Sequence, residues 1–191
     1  AVSSSYDLVD QGLGRFFMPL VGGFDGLNIR EIEPFNNTDM SGKSTTQSFA
    51  QHTIQKALDI VRDVEYVEYD ILTIPGVNDA TITDKMLTVA EDRGDCLAII
   101  DPKNDYQPPS EGYNSSPSAR LPAPDSLFTT VDAKNYDNSY GCMFFPSVEI
   151  DEGGARFVVP PSVPVLGIMG HTQADPGLWF APAGFNRGGL T

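Results

Sequence analysis

At 191 residues, 40% of them hydrophobic, the chain is long enough to bury a core and short enough to form one main domain. Its 12 basic and 26 acidic side chains give a formal charge of −14, which disfavours nucleic-acid binding because phosphate contacts need clustered lysine and arginine. Two cysteines are too few for a disulfide framework, and no run of apolar residues is long enough to span a membrane. We therefore expect Cys96 and Cys142 to be reduced core side chains, which fits assembly in a cytoplasm.

The first predicted segment is a glycine-rich stretch over residues 1–45, where glycines surround the apolar run Phe16 to Val21. Glycines at this density indicate tight turns, so we expect extended strands or loops that pack on the core. The segment Ser41-Gly42-Lys43-Ser44 resembles the end of a phosphate-binding loop. Asn37 stands where that motif needs a glycine, so we expect no bound nucleotide here.

A helix and a strand are predicted next. Apolar residues recur every fourth position from Thr46 to Val61, which is typical of an amphipathic helix packed along one face. Asp70 to Pro75 then predicts a strand that ends at the turn Pro75-Gly76.

The same alternation repeats once more. Asn78 or Asp79 is placed to cap a second helix that runs to about Ala90 and that Arg93-Gly94 stops. The wholly apolar run Cys96 to Ile100 predicts a strand, closed by Asp101-Pro102. Helices that alternate with continuously apolar strands indicate an α/β fold with a mixed, mostly parallel sheet flanked by helices and covered on both faces. Residues 103–126, rich in proline and serine, predict a long surface loop.

The C-terminal part predicts two more strands and a helix. Gly141 to Phe145 is a compact apolar run closed by Pro146, and Arg156 to Val159 is a short strand that Pro160-Pro161 ends. Ser162 is then placed to cap a helix, with its hydroxyl accepting a hydrogen bond from a free amide of the first turn.

Small residues give this last helix an apolar side that can lie close against a neighbour, and Gly167 is one of them. The turn Asp175-Pro176-Gly177 ends the helix, and Trp179, the only tryptophan, follows in an extended segment with Ala181-Pro182-Ala183. We expect the ring of Trp179 to be buried, because a large aromatic side chain can hold the tail on the core.

The order of these segments resembles the tail sheath proteins of contractile phages. Four stretches carry the resemblance in the same order along the chain: Leu20–Gly26, Asp70–Asp101, Asn135–Tyr140, and the strand, helix and tail from Gly141 onward. The residues that match the family pattern are Gly22, Gly23, Gly26, Pro75, Gly76, Pro146, Pro160, Pro161, Ser162, Gly167, Asp175, Gly177, Trp179, Ala181, Pro182 and Ala183.

The resemblance implies a structural subunit with no catalytic residue, cofactor or metal. It implies polymerisation with other sheath subunits around a tail tube protein, and contraction by rigid-body rearrangement that drives the tube through the host envelope. The expected location is the virion tail, assembled in the bacterial host cytoplasm. Residues 46–185 correspond to the sheath core domain and residues 186–191 to a C-terminal tail.

The resemblance also implies that the chain is a fragment of a longer sheath protein. We expect this fragment alone to be monomeric, because its charge of −14 disfavours self-association. In an assembled sheath, the alternative place for Trp179 is the interface with a neighbouring subunit.

Two alternatives stay open. The chain equally fits the sheath of a related contractile injection system, such as type VI secretion or a phage-tail-like bacteriocin. A second alternative, of another class, is an α/β hydrolase-like enzyme that uses His171. That reading is disfavoured because no serine lies in a GxSxG elbow and neither cysteine has a helix-start context that would activate it.

Overall fold

A computed structural model describes residues 35–103, 105–107, 120, 124–174, 177, 179–184 and 188–189. In chain order its elements are α1 (Asn37–Met40), α2 (Phe49–Val61), β1 (Ile71–Thr73), α3 (Ala80–Arg93), β2 (Leu97–Ile100), α4 (Pro124–Lys134), β3 (Gly141–Met143), β4 (Val148–Glu152), β5 (Ala155–Val159) and α5 (Ser162–Ala174). The predicted α/β class is confirmed. The predictions for Gly22, Gly23, Gly26 and Asp175 lie outside the described residues.

The central sheet is parallel, with the strand order β1-β2-β3. Ile71 pairs with Leu97, and Ile99 pairs with Cys142. The strands predicted within Asp70–Pro75, Cys96–Ile100 and Gly141–Phe145 therefore lie in one sheet, with α3 in the first crossover and α4 in the second. Only the middle strand is deeply buried, since β1 and β3 are half-buried along their length. The sequence predicted a sheet buried on both faces, and among the described strands only β2 is buried in that way.

Local hydrogen bonds set the ends of the two long helices. The Ser48 hydroxyl accepts from the Gln51 amide and begins α2 at Phe49, so the predicted start at Thr46 was wrong. The Asp79 carboxylate caps α3 by accepting from the Thr81 amide at 3.1 Å. Gly94 ends α3 in the left-handed conformation, as the sequence predicted.

Three elements were not predicted, and one of them is α1, which is described with the core below. Helix α4 begins at Pro124, inside the range predicted as a surface loop, so the loop ends earlier than expected. Strand β4 forms an antiparallel hairpin with β5, in a sheet separate from the parallel one. The acidic sequence of β4 lacks the apolar run that predicts a buried strand, because β4 is exposed along most of its length.

One hydrophobic core lies between α2, α3 and the parallel sheet. Within residues 35–45, the part of the glycine-rich segment that the structure describes, α1 is helical rather than extended and its Met40 is fully buried in this core. The buried core residues are Met40, Ala50, Ile54, Leu58, Val77, Ile82, Met86, Leu87, Val89, Ala90, Cys96, Ala98 and Ile100.

Candidate functional site at the carboxyl edge of the parallel sheet

Asp101 is the central polar side chain at this edge. It follows β2 directly, is only 6% exposed, and accepts three hydrogen bonds. The Gly76 amide donates to Oδ2 at 2.8 Å, the Ser162 hydroxyl donates to Oδ2 at 2.8 Å, and the Ser162 amide donates to Oδ1 at 3.1 Å. One buried carboxylate therefore joins the loop after β1 to the start of α5, which lies 61 residues further along the chain than Asp101.

The prediction for Ser162 was wrong about the direction of its hydrogen bond. We expected its hydroxyl to accept a bond from the first turn of the helix, but the hydroxyl donates to Asp101. The first free amide of α5 is instead satisfied by the Asp101 carboxylate, which serves as a helix cap supplied by another element. Ser162 is fully buried as a result of this junction.

Asn37 fixes the same loop from its other side. Its Nδ2 donates to the Gly76 carbonyl at 2.8 Å, and its Oδ1 accepts from the Asn78 amide at 2.7 Å. Gly76 has φ +80°, a left-handed conformation that favours glycine, so the Pro75-Gly76 turn has a clear backbone reason for its sequence.

An open cleft of about 710 Å³ lies beside this junction. Pro75, Gly76 and Pro160, which were singled out from the sequence, all line it together with Asp101. Further along the wall, the Ser147 hydroxyl is hydrogen-bonded to the carboxylate of Asp105, which is buried. The predicted motif residues of two distant segments are therefore brought together here, and Pro161 is buried next to Ser162.

Asp101 is the residue that sequence reasoning missed. It was seen only as the residue that closes a strand. The feature of the sequence that could have indicated its role is an acidic side chain directly after a wholly apolar strand. In a parallel sheet, the carboxyl ends of the strands lie close to the N-termini of the helices that follow them.

The remaining motif residues are not gathered at this junction. Pro146 is exposed after β3, in a cis peptide bond with Phe145. Gly167 is exposed on α5, and a Cβ placed on it would meet no atom within 4 Å, so no close packing against the described residues requires a glycine there. Ala181, Pro182 and Ala183 are exposed.

Trp179 corrects a prediction. Its side chain is 82% exposed, so it does not anchor the tail in the described part of the chain. The ring lies over Gly177, where a Cβ would come within 2.9 Å of it, and it tilts against Phe180 with ring centroids 6.4 Å apart. After Phe180, the described tail continues with exposed residues from Ala181 to Gly184, which do not bury the tryptophan.

The β4–β5 hairpin has one apolar face. In the pairing of the two strands, Ile150 lies opposite Phe157 and Val148 lies opposite Val159. Both pairs lie on the same face, because residues two apart along a strand point to the same side. The other face carries Arg156 with its two acidic neighbours. Phe157 is 53% exposed, so the apolar face is left in contact with solvent. The large apolar side chains exposed from here to the tail, called the C-terminal apolar set, are Phe145, Ile150, Phe157, Val163 and Trp179.

Neither cysteine has the properties of a reactive nucleophile. Both are free thiols, and burial raises the pKa of Cys96 and of Cys142 above the ordinary value for a thiol. No disulfide joins the two cysteines. Cys96 is buried and Cys142 is half-buried in β3, so the predicted burial holds fully only for Cys96.

His52 and His171 are both exposed, and no side-chain hydrogen bond or ion pair of either is found in the described part of the chain. In the same residues, no group of three or more histidine, cysteine, aspartate and glutamate side chains is close enough to hold a metal ion. Nor is any helix of the described residues both long and apolar enough to cross a bilayer.

Comparisons of the chain with protein-family models, with curated proteins and with solved structures give no significant match.

Proposed function

We propose that this chain is a structural subunit of a contractile tail sheath, with no catalytic role. The observation that carries the proposal is the exposed C-terminal apolar set, which lies in the same segment that bears most of the sheath-like motif. Exposed apolar side chains that lie together mark surfaces that another protein covers, and Ile150 and Phe157 lie together on one face of the hairpin.

The partners in this proposal are other copies of the subunit and a tail tube protein, in the virion tail of a phage. The hairpin face with Ile150 and Phe157 and the exposed ring of Trp179 would each lie against a neighbouring chain. Aromatic side chains are enriched at the centres of such interfaces, where water is excluded.

Contraction requires that each subunit moves as a block while its contacts with neighbours are exchanged. The Asp101 junction suits this requirement, because it fastens the start of α5 to the parallel sheet through a buried carboxylate. Motion would therefore be confined to the surfaces between subunits, and the subunit itself would keep its fold.

The test is electron microscopy and sedimentation of the protein expressed at its full natural length. We expect tubes or stacked rings, and we expect the double variant Ile150→Ser with Phe157→Ser to shorten or abolish them. Phe128→Ser is the matched control, because Phe128 is an exposed aromatic residue on α4, outside the C-terminal apolar set. A full-length protein that stays monomeric under all conditions tried would contradict the proposal.

A further inference from the structure

A second exposed apolar surface lies at the opposite end of the domain, where the parallel strands begin. It is formed by Ile60 at the end of α2 and by Val64 and Tyr66 in the turn that follows. The Tyr66 side chain is 73% exposed and that of Ile60 is 56% exposed. None of these three residues belongs to the sheath-like motif, so the proposed function does not account for their exposure.

The backbone under this surface is held rigidly by Arg93, whose side chain is fully buried. Its Nη1 donates to the carbonyls of Val61 and Asp63 at 2.7 and 3.3 Å, and its Nη2 donates to the carbonyl of Val67 at 3.1 Å. The guanidinium also lies 4.1 Å from the centre of the Tyr69 ring. A loop fixed in this way loses little conformational freedom when a partner binds, which favours affinity.

The apolar side chains are surrounded by negative charge. Asp63, Glu65, Glu68 and Asp70 are exposed, and no ion pair reaches any of them within the described residues. The cation in this stretch, Arg62, pairs with Asp92 instead, so none of the four carboxylates has a basic partner among the residues that the structure describes. We call this surface the acidic platform, comprising Ile60, Asp63, Val64, Glu65, Tyr66, Glu68 and Asp70.

We propose that the acidic platform is a docking surface for a protein segment in which lysine or arginine flanks an apolar side chain. Cations on the partner complement the unpaired carboxylates and speed the encounter, while its apolar side chain covers Tyr66. Nucleic acid and anionic lipid are unsuited, because their phosphates are repelled by the same carboxylates. A second copy of this chain that docks platform to platform is disfavoured too, because the same carboxylates would face one another. The proposal holds whether or not the chain is a sheath subunit.

The probe is a synthetic peptide, Lys-Arg-Leu-Trp-Arg-Lys with blocked ends, titrated into the chain by calorimetry at physiological ionic strength, where the Debye length of ~8 Å screens distant charges. We expect Tyr66→Ala to weaken binding by about tenfold or more, as removal of a central aromatic residue does at protein interfaces. The triple variant Glu65→Gln, Glu68→Gln, Asp70→Asn should weaken it to a similar extent. Asp63 is left intact, because its carboxylate accepts a bond from the Glu65 amide that shapes the turn.

Two matched controls separate the platform from the overall negative charge. Phe128→Ala removes an equally exposed aromatic side chain from α4, and Asp125→Asn, Asp132→Asn, Asp137→Asn removes the same charge from α4 and the segment after it. Both should bind the peptide within about twofold of the unchanged chain, since surface changes away from a contact have small effects.

Three outcomes overturn the proposal. The first is that the peptide fails to bind, or that both triple variants weaken it equally, which would make the effect one of net charge. The second is that Tyr66→Ala binds as well as the unchanged chain while circular dichroism shows it folded. The third is that another partner occupies the platform. Vesicles of anionic lipid would then bind in place of the peptide, or sedimentation would show self-association that Tyr66→Ala abolishes.

Discussion

A single buried carboxylate holds together parts of this chain that are far apart in sequence. Asp101 accepts hydrogen bonds from the amide of Gly76 and from the amide and hydroxyl of Ser162, and both Asp101 and Ser162 are buried away from water. Because buried polar groups are costly when unpaired, the loop, the strand end and the helix start depend on one another.

Asp101→Asn should lower the free energy of unfolding by about 1.5–3 kcal/mol. The asparagine amide keeps one acceptor oxygen, but its NH₂ group replaces the other and can only donate. In either orientation this NH₂ group faces a donor of Gly76 or Ser162. Urea denaturation measures the effect. Asp125→Asn, at an exposed position on α4, is the control and should change stability by no more than about 0.5 kcal/mol. If the two variants were equally stable, the stabilising role that we assign to Asp101 would be contradicted.

Trp179→Ala should leave the free energy of unfolding within about 0.5 kcal/mol of its original value, because the side chain is mostly in water. By contrast, Met86→Ala removes a side chain that is 1% exposed and should cost about 2–5 kcal/mol. The intrinsic fluorescence of the chain should resemble that of free tryptophan and be readily quenched by iodide or acrylamide. A blue-shifted, protected emission would instead restore the anchoring that we expected from the sequence.

At the scale of elements, α4 and the segment before β3 are tied to the outer face of α3. Lys134 donates to Asp84 at 2.8 Å, and the Tyr136 hydroxyl donates to the other oxygen of the same carboxylate at 3.0 Å. Asn138 donates to Glu91 at 3.1 Å, about two turns further along α3. These exposed polar contacts position the crossover to β3 without a large apolar interface.

The pair Lys134–Asp84 should make stability depend on alkaline pH. The hydrogen bond from Lys134 to Asp84 raises the pKa of the lysine above its ordinary value of 10.5, so the folded state holds this proton more tightly than the unfolded state does. The stabilisation is therefore complete below pH 10.5 and is lost as pH rises through the folded pKa. Burial raises the pKa of Tyr136 as well, and this acts in the same direction.

Urea denaturation at several values between pH ~8 and pH ~11.5 tests this dependence. The variant Lys134→Met should be less stable below pH ~10 and should lose less stability above it than the unchanged chain. Lys103→Met is the matched control, since Lys103 is exposed and makes no ion pair in the described part of the chain, and its curve should follow the original one. Parallel curves for all three proteins would show that the pair does not contribute.

At the scale of the whole molecule, the net charge opposes association of copies through their exposed apolar surfaces. We expect the isolated chain to sediment as a monomer at physiological salt, because its charge of −14 makes copies repel one another. At about 1 M salt, where the Debye length falls to ~3 Å, weak association through the C-terminal apolar set should appear. Long polymers of this chain at physiological salt would contradict the prediction.

Much of the α/β core could be predicted from the sequence, because its signals are local. The four-residue spacing of apolar side chains fixed α2, and the capping carboxylate of Asp79 with Gly94 fixed α3. The continuous apolar run of β2 likewise predicted a buried, parallel strand. Each of these patterns depends on neighbours within a few residues, so no tertiary contact is needed to recognise it.

The candidate site and the two exposed surfaces were decided only by the tertiary structure. Pro75-Gly76 and Ser162 were each recognised as turn or cap residues, but nothing local indicated that Asp101 would bind both. Trp179 was expected inside because tryptophan is large and apolar, yet the described tail offers no pocket for it. Burial and long-range hydrogen bonding depend on which distant segments come together, and local residue patterns do not carry that information.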